Sequence, residues 1–327
     1  MNWSGKKVLV TGAGGFIGSH LAEGLVERGA QCRAFVRYNS AGSHGWLDGS
    51  PIKSEIKVFA GDIGDRDGVV QAMRGVDIVF HLAALIGIPY SYAAPAAYVR
   101  TNIEGTLNVL QAARELGLER VIHTSTSEVY GTARYVPIDE EHPLQGQSPY
   151  SASKIGADQL ALSFARSFDL PVVVVRPFNT YGPRQSARAV IPTIIAQCLA
   201  GGAVKLGSLT PTRDLNFVVD TVEGFCLAAG PSAAIGRVIN LGSGKEISIG
   251  DLARKIADLM QVGLDVEFET ERARPRNSEV ERLCAANQRA RELLGWAPRH
   301  TLEVGLTRTI EWMQVHRDCY RPNVYAV

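Results

Sequence analysis

The chain of 327 residues is 46% hydrophobic, which is enough for one large globular domain or two ordinary ones with a proper core. Its 34 Lys and Arg residues nearly balance 33 Asp and Glu residues, and the formal net charge of +1 argues against nucleic acid or an anionic membrane as the main partner. The five cysteines form neither a CxxC nor a Cys/His pattern. We therefore expect no disulfide framework, no metal site and a location in the reducing cytoplasm.

The apolar stretches are too short for a membrane segment. Lys6 and Lys7 precede an apolar run, as in a signal peptide, but four glycines within 12–18 make that run a poor apolar segment. Another apolar stretch, 78–88, contains His81 and is well short of the roughly 20 residues of a spanning helix. We expect a globular protein that binds no membrane.

Six apolar runs typical of buried parallel strands occur in the first half of the sequence. They are KVLVTG (7–12), CRAFVR (32–37), IKVFAGD (56–62), DIVFHLAA (77–84), RVIHTST (120–126) and PVVVVRP (171–177). Apolar residues at three- and four-residue spacing predict the helices, which cover 17–28, 67–73, 102–116 and 150–168. This alternation predicts an α/β protein with a doubly wound parallel sheet of the Rossmann type.

The second half is richer in proline and glycine loops between shorter elements. We therefore predict a Rossmann domain over 1–177 and a smaller C-terminal substrate-binding lobe, mainly over 178–327. The run RVINLG (237–242) resembles another buried strand, so we expect the chain to return there to the main sheet. Ligands of open α/β sheets bind beyond the carboxyl ends of the strands, and a second lobe over that edge would close a cleft.

The first predicted strand runs into a glycine-rich turn, TGAGGFIG. Gly12, Gly15 and Gly18 follow a variant of the G-x-G-x-x-G fingerprint, in the strand–turn–helix context that the fingerprint requires. Glycines allow the backbone to approach a pyrophosphate, which binds to the amide groups and positive dipole end of the helix. The pattern favours a dinucleotide site, including Phe16 and Ile17, over a turn that only packs helix on strand.

The residue that ends the second predicted strand bears on the identity of the dinucleotide. An acidic residue here is typical of NAD binding, and a nearby arginine is typical of NADP binding. The strand ends in Arg37, which favours NADP, although such an arginine is often only a solvated rim residue. Asp62 closes the third strand, where it either accepts a hydrogen bond from the adenine amino group or caps the following helix.

Tyr150 and Lys154, in SPYSASK, are four residues apart and lie on one face of a predicted helix. A phenol has a pKa of about 10, but an adjacent ammonium group and a positively charged nicotinamide ring both favour the phenolate. Tyr150 then takes a proton from a substrate hydroxyl while hydride leaves for the nicotinamide. Alone, the pair is more typical of an exposed helix face, but the glycine turn and the hydroxyl-rich run HTSTSEVYG (123–131) favour catalysis.

Motifs spread over nearly the whole chain occur in a characteristic order, namely TGAGGFIG, HLAA, TSTSEVYG, YSASK, RPFNTYGPR, TRDLNFV and RARP. This order resembles the extended short-chain dehydrogenase/reductase family, in its NAD(P)-dependent nucleotide-sugar epimerase and dehydratase branch. The resemblance implies Tyr150 as the catalytic base, Lys154 as its partner and ribose anchor, and Thr126 as the hydroxyl that shares the proton of the sugar 4-hydroxyl. It adds further cofactor contacts at Ile63, Leu82, Ala83 and Ala84.

The resemblance also implies the partners of the chain. These are a tightly bound and recycled NAD or NADP, a nucleoside-diphosphate sugar, and a second copy of the chain that packs against the helices predicted at 102–116 and 150–168. Substrate contacts are implied at Asn179, Arg184, Arg213 and Arg274. Two guanidinium groups are suited to hold a pyrophosphate bidentately. The alternative for Arg213 and Arg274 is a structural salt bridge to Asp214 or Glu279.

Glu128 distinguishes between the reactions of this branch, which all begin by oxidising sugar C4 to a ketone. A 4-epimerase only rotates the 4-keto sugar and returns hydride to its other face. A 4,6-dehydratase also needs a base that removes the C5 proton as the C6 hydroxyl leaves. Glu128 stands two residues after Thr126, where dehydratases of the family carry this base. Ser127 stands where many of them carry an aspartate that protonates the leaving hydroxyl. We therefore expect a 4,6-dehydratase in which Glu128 serves both steps.

Other reactions remain open at this stage. The TSEVYG run is also similar to that of UDP-glucuronate decarboxylases, which need a cationic contact for the substrate carboxylate. A 4-epimerase and a non-catalytic dinucleotide sensor are further alternatives, and the complete set of Thr126, Tyr150 and Lys154 argues against the sensor. The segments ALIGIPYSY, STSEVYGTARYVPIDE and NTYGPRQSARAVIPTII resemble the bacterial 4,6-dehydratases of legionaminic-acid-type pathways. This narrower resemblance implies UDP- or GDP-N-acetylglucosamine as the substrate.

Overall fold

The main sheet of the computed structural model, which describes residues 1–322 and residue 324, has seven parallel strands. They are β1 (Lys7–Thr11), β2 (Gln31–Arg37), β3 (Lys57–Gly61), β4 (Ile78–His81), β5 (Arg120–Thr124), β6 (Val172–Pro177) and, later in the chain, β10 (Val238–Leu241). Their spatial order is β10-β6-β5-β4-β1-β2-β3, so the winding reverses between β1 and β4 and a crevice opens there. This order confirms the predicted Rossmann fold.

Helices cover both faces of this sheet. In chain order they are α1 (Phe16–Glu27), α2 (Arg66–Met73), α3 (Ile88–Ala93), α4 (Pro95–Tyr98), α5 (Gly105–Leu116), α6 (Pro149–Phe168), α7 (Val190–Ala200), α8 (Val218–Ala228), α9 (Ile249–Met260), α10 (Gln288–Leu294) and α11 (Leu302–Val315). Successive strand residues point to opposite faces. Val8 and Val10 of β1 therefore pack in the cluster that includes α1 and α8, whereas Leu9 packs in the cluster that includes α2, α5 and α6.

Helix α5 is preceded by a wider turn that the sequence pattern does not show. The apolar spacing predicts a helix over 102–116, but the chain forms a π-helical turn over Val99–Glu104 before α5 begins. Within this turn the buried Asn102 exchanges hydrogen bonds with the backbone of Leu85 and donates to Ser153 Oγ at 2.9 Å. The turn therefore fixes the loop after β4 against α6.

The second half of the chain adds two small sheets to the main one. One contains β7 (Asn179–Tyr181), β9 (Thr212–Phe217) and β11 (Glu246–Ser248), and the other contains β8 (Val204–Leu206) and β12 (Val266–Phe268). Between these elements the chain returns to the main sheet, where β10 pairs in parallel with β6 and Val238 lies opposite Val174. One hydrophobic cluster includes Val10, Phe217 and Leu252, so both halves of the chain share a core.

The described residues contain neither a helix long and apolar enough to cross a membrane nor a group of His, Cys, Asp and Glu suited to a metal ion. All five cysteines are free thiols. Burial raises the pKa of Cys32 and of Cys226 to about 12, so both remain unreactive thiols near neutral pH.

Candidate active site

A cleft of about 950 Å³ opens beyond the carboxyl ends of β1, β2, β4, β5 and β6, and the second half of the chain forms its opposite wall. Most of the residues singled out in the sequence line this cleft. They are Gly12, Gly15, Phe16, Ile17, Gly18, Arg37, Leu82, Ala83, Ala84, Thr126, Ser127, Glu128, Tyr150, Lys154, Asn179, Arg213 and Arg274. Asp62, Ile63 and Arg184 lie outside its lining.

The glycine turn between β1 and α1 leaves room for a ligand's phosphates. Gly12 has a φ of +70°, which favours glycine, and a Cβ on Gly18 would lie only 2.2 Å from the Gly12 carbonyl oxygen. Gly15 is the N-cap of α1, and the first N–H groups of an α-helix have no partner within the helix. Because these donors and the positive end of the helix dipole face the cleft, the turn fits a dinucleotide pyrophosphate.

Polar side chains line the cleft beyond β2, and no carboxylate is among them. Arg37 is exposed there, and Asn39 and Ser43 line the same wall. The Asn39 side chain holds the loop in place, since Oδ1 accepts from Ser43 N at 3.1 Å and Nδ2 donates to Ser43 O at 2.7 Å. No acidic residue occurs within 36–45, but the Asp48 carboxylate lies directly behind this loop, where it accepts hydrogen bonds from Ser43 Oγ at 2.8 Å and from His44 N at 3.0 Å.

Asp62 and Ile63 are placed differently from the sequence expectation. The exposed Asp62 accepts a hydrogen bond from Gly64 N at 2.8 Å, while Asp65 is the residue that caps α2. The alternative of Asp62 as a helix cap is therefore wrong. Ile63 is buried against α5, where a Cβ on Gly105 would lie 2.7 Å from its Cγ2. Neither residue reaches the cleft lining, so the structure does not bring them to the rest of the predicted site.

Tyr150 and Lys154 lie on the first turns of α6, which begins with a capping box between Ser148 and Ser151. Both side chains are buried, at 8% and 5% exposure. Lys154 Nζ donates to the carbonyl oxygen of Thr124 at 2.6 Å, and the Tyr150 ring packs against Tyr98 at a centroid distance of 6.2 Å. The helix therefore presents a fixed phenol and ammonium group to the cleft.

Burial shifts the pKa of both groups. It raises the pKa of Tyr150, the hydrogen bond with Thr126 opposes this, and the nearby Glu128 carboxylate raises the pKa further. Burial lowers the pKa of Lys154 to about 8, although the negative charge of Asp158 acts to raise it. The net effect of burial and of the Glu128 carboxylate is thus to raise the pKa of Tyr150 rather than to lower it as expected. A phenolate here would therefore need compensating positive charge, for which the Lys154 ammonium group and a bound nicotinamide ring are the candidates.

The hydroxyl-rich run forms a tight turn directly after β5. Ser127–Tyr130 is a 3-10 helix, and Thr126 caps it by accepting a hydrogen bond from Glu128 N at 3.2 Å. Ser127 and Glu128 are buried, with Glu128 7% exposed, yet both line the cleft. The turn thus brings a carboxylate next to the hydroxyl of Thr126 and the phenol of Tyr150.

Arg213, Arg274 and Glu279 of the opposite wall form a charged cluster with Glu128. Arg274 Nη1 lies 3.6 Å from Glu128 Oε2 and 3.7 Å from Glu279 Oε1, and Arg213 Nη2 donates to Glu279 Oε1 at 3.1 Å. Burial alone would lower the pKa of Arg274, but the negative charges of Glu128 and Glu279 raise it. For Arg213, burial lowers the pKa, and repulsion from Arg274 lowers it further. Glu279 is thus the partner of both arginines, and Asp214 instead accepts from Ser243 and Gly244.

The two remaining predicted substrate contacts differ from each other. Asn179 lines the cleft, and its buried Oδ1 has no hydrogen-bond partner among the described residues, so it is available to a ligand hydroxyl. Arg184 points away from the cleft and donates to both carboxylate oxygens of Glu23 on α1, at 3.0 and 2.9 Å, and to Ser19. This corrects the expected substrate contact, because Glu23 and Ser19 already engage the Arg184 guanidinium.

Sequence reasoning missed three residues that shape the site. Tyr98 is fully buried, packs against Tyr150 and donates to the Gly87 carbonyl oxygen. Arg188 lines the cleft with its guanidinium against Gly87, where a Cβ would lie 2.5 Å from Nη1, and it pairs with no carboxylate in the described part of the chain. Asn102 ties the cleft loop to α6. Of the three, only Arg188 lies in a segment that carries the family resemblance, NTYGPRQSARAVIPTII.

Comparisons with known proteins bear on this site. The GDP-mannose 4,6-dehydratase family model matches residues 9–309. A dTDP-glucose 4,6-dehydratase of Streptomyces antibioticus is 34% identical over 320 residues, which cover 96% of this chain and 94% of that protein. A UDP-glucose 4-epimerase of Mycolicibacterium smegmatis is 33% identical over 315 residues, which cover 94% of this chain and 98% of that protein.

A similar solved structure is that of a double mutant of DesIV, a dTDP-glucose 4,6-dehydratase from Streptomyces venezuelae with NAD bound. It matches with a TM-score of 0.87 at 29% identity and covers 96% of this chain and 98% of that chain. These matches confirm the family inferred from the motifs. The chain belongs to the GDP-mannose 4,6-dehydratase family, that is, to the NAD-dependent nucleotide-sugar dehydratases and epimerases of the short-chain dehydrogenase/reductase type.

Proposed function

We propose that the protein is a nucleotide-sugar 4,6-dehydratase that converts a nucleoside-diphosphate hexose to its 4-keto-6-deoxy product. The observation that carries the proposal is the position of Glu128, a buried carboxylate on the cleft wall two residues after Thr126 and close enough to Tyr150 to raise its pKa. An epimerase has no step that needs this base. A dehydratase needs it to remove the proton from C5.

In this proposal, each step uses a group of the cleft. A dinucleotide held at the glycine turn would supply the hydride acceptor for C4 and the hydride donor for C6. Tyr150 takes the proton of the 4-hydroxyl, with Thr126 in contact with the same oxygen and Lys154 held beside them by Thr124. Glu128 then removes the C5 proton and gives it to the departing C6 hydroxyl, which leaves as water. As hydride adds to C6, C5 takes a proton from solvent, and Tyr150 releases the proton of the 4-hydroxyl to solvent. Overall, the sugar loses one water and no net oxidation occurs.

Glu128 serves both proton transfers because Ser127 is a poor acid. A serine hydroxyl holds its proton far more tightly than a carboxylic acid, so it cannot replace the aspartate found at this position in many dehydratases. Ser127 is buried beside Glu128 and is suited to a hydrogen bond with the leaving oxygen. This assigns Ser127 an orienting role.

The proposed substrate is UDP- or GDP-N-acetylglucosamine. Arg213 and Arg274 lie close enough to repel each other, and a diphosphate between them would relieve that repulsion with bidentate contacts. Asn179 offers an unpaired carbonyl oxygen to a sugar hydroxyl. The choice of N-acetylglucosamine rests on the similarity of three sequence segments to dehydratases of legionaminic-acid-type pathways.

Proton NMR of the purified protein with each nucleotide sugar tests the proposal. We expect a new C6 methyl doublet in H₂O that collapses to a singlet in D₂O, because C5 then carries deuterium. Glu128→Gln should slow water loss by roughly 100- to 10,000-fold. Glu141→Gln, which changes a largely exposed carboxylate outside the cleft, is the matched control. No methyl signal from any hexose nucleotide would overturn the proposal.

A decarboxylase is the second candidate, because Arg274 provides a cation beside Glu128 that could contact a substrate carboxylate. Incubation with UDP-glucuronate separates the two reactions, since a decarboxylase would release CO₂ and form a pentose nucleotide. A 4-epimerase activity, as in the related UDP-glucose 4-epimerase, would instead give a hexose nucleotide with inverted C4 and no methyl group.

For the cofactor we propose NADP in preference to NAD. Arg37 provides a cation on the wall where the ribose 2′-phosphate would lie, and the nearby Asp48 carboxylate is engaged by Ser43 and His44, although the related DesIV structure contains NAD. Mass spectrometry of the dinucleotide released from purified protein tests this preference. Arg37→Ser should weaken NADP binding and leave NAD binding nearly unchanged.

We also propose a cytoplasmic homodimer that packs through α5 and α6. Apolar side chains remain exposed at the C-terminal ends of these helices, where Leu116 is 36% exposed and Phe168 is 43% exposed. Light scattering coupled to size-exclusion chromatography measures the mass. A monomer at micromolar concentration would contradict the dimer.

A further inference from the structure

A buried hydrogen-bond network lies beneath the catalytic turn and outside the cleft lining. Tyr130 OH donates to Asn240 Oδ1 at 2.7 Å and accepts from Arg176 Nη1 at 2.9 Å. Arg176 in turn donates to Asp158 Oδ2 through Nε at 3.1 Å and Nη2 at 3.0 Å. All four side chains are at most 2% exposed. A satisfied network of this kind holds its members in one arrangement.

The network joins the two elements that carry the catalytic groups. Asp158 lies on α6, four residues after Lys154 and eight after Tyr150, so the three share one face of the helix. Asp158 also accepts from Ser125 Oγ at 2.7 Å, immediately before Thr126. The helix that presents the phenol is thereby tied to the start of the turn that presents the carboxylate.

Tyr130 ties the far end of the same turn. It is the last residue of the 3-10 helix Ser127–Tyr130, two residues after Glu128, and it is fully buried. Its partner Asn240 is fixed on β10, where its backbone N–H donates to Glu140 and its Nδ2 donates to the Ile138 carbonyl oxygen. The hydroxyl of Tyr130 therefore joins the Glu128 turn to β10 on one side and, through Arg176 and Asp158, to α6 on the other.

We propose that Tyr130 is a positioning residue that sets the Glu128 carboxylate against C5 of the sugar. This inference rests on the proposed dehydratase function, in which C4 oxidation uses Tyr150 and C5 deprotonation uses Glu128. A base must lie within hydrogen-bond reach of its proton, and a displacement of about 1 Å costs up to roughly 100-fold in rate. Loss of the Tyr130 hydroxyl should therefore impair the second step selectively.

The test compares two partial reactions in the full-length enzyme with its dinucleotide and UDP-N-acetylglucosamine, or whichever hexose nucleotide gives the methyl product. Stopped-flow absorbance at 340 nm reports C4 oxidation, and NMR in D₂O reports exchange of the C5 proton. For Tyr130→Phe we expect C4 oxidation within about threefold of wild type and C5 exchange slower by roughly 10- to 100-fold. Tyr135→Phe, which removes an exposed hydroxyl bonded to Asp139, is the matched control and should alter neither rate.

Asn240→Leu provides a second variant in case Tyr130→Phe folds poorly, and it should shift the ratio of the two rates in the same direction. An unchanged ratio in both variants, or an equal fall of both rates, would overturn the positioning role. Wild-type enzyme that forms no methyl product and exchanges no C5 proton would overturn the proposed function itself, and the inference with it. If the wild-type enzyme forms the methyl product but the variants keep the wild-type ratio of C4 oxidation to C5 exchange, only the positioning role of Tyr130 is overturned.

Discussion

The Arg274 guanidinium lies beside the Glu128 carboxylate, with Nη1 3.6 Å from Oε2, and the same nitrogen is 3.7 Å from Oε1 of Glu279. Arg213 donates to that Glu279 oxygen at 3.1 Å. The proposed base and the proposed diphosphate contacts therefore belong to one electrostatic cluster. A change at either arginine is expected to affect both substrate binding and water loss.

Arg274→Gln should weaken binding of the nucleotide sugar by roughly 10- to 100-fold, because a hydrogen bond to a charged group contributes about 1.5–3 kcal/mol. Isothermal titration with UDP measures the nucleotide part of this effect without any reaction. Arg254→Gln, at a 67% exposed arginine that pairs with Asp251, is the control and should bind UDP like wild type. Wild-type affinity in the Arg274 variant would remove it from the diphosphate site.

The pKa of Lys154 predicts a basic limit to catalysis. Burial lowers this pKa from 10.5 to about 8, so the ammonium group is lost as the pH rises through about 8. Because the ammonium favours the Tyr150 phenolate, the single-turnover rate of C4 oxidation should decline above that pH. The arginine of Lys154→Arg keeps its charge over this pH range. This variant should oxidise C4 more slowly at pH 7, but its rate should not decline above pH 8. A wild-type rate that stays level from pH 7 to 10 would contradict this.

Much of the fold follows from local pattern. The strand runs and the glycine turn were predicted within a few residues because a buried parallel strand and a tight turn each have a short sequence signature. β4 and β5 end earlier than predicted, at His81 rather than 84 and at Thr124 rather than 126, whereas β2 and β6 end at the predicted residues. The residues beyond the ends of β4 and β5 line the cleft, and their apolar or small side chains continue the strand pattern in the sequence.

The rest depends on contacts between distant residues. Tyr150, Lys154 and Thr126 occur in compact motifs, so the sequence alone could predict that they lie together, and all three line the cleft. The partner of Arg213 is Glu279, 66 residues later, and the partner of Arg184 is Glu23, 161 residues earlier. The sequence offered Glu279 as one of two alternative partners for Arg213 and gave no partner for Arg184, so it could name the arginines but could not say which of them face the cleft.

The ion pair of Arg184 predicts a stability effect rather than a binding effect. Its guanidinium is 16% exposed and the Glu23 carboxylate 14%, and two hydrogen bonds join them. Arg184→Met should lower the free energy of unfolding by roughly 1–3 kcal/mol, since it leaves a partly buried carboxylate with fewer donors. Urea denaturation measures this, and Glu23→Gln should give a similar, non-additive loss. A large rise in KM with unchanged stability would restore Arg184 as a substrate contact.

The glycine turn gives a prediction about dinucleotide binding. A Cβ on Gly18 would lie 2.2 Å from the Gly12 carbonyl oxygen and 2.9 Å from Ala13 Cα, so Gly18→Ala must push α1 away from the turn. The first-turn N–H groups then no longer converge on the pyrophosphate, and we expect at least a roughly 100-fold loss of dinucleotide affinity. Gly49→Ala, where no atom lies within 4 Å of the added Cβ, is the control. Dinucleotide retained after gel filtration measures the effect, and full retention in the Gly18 variant would exclude this turn as the pyrophosphate site.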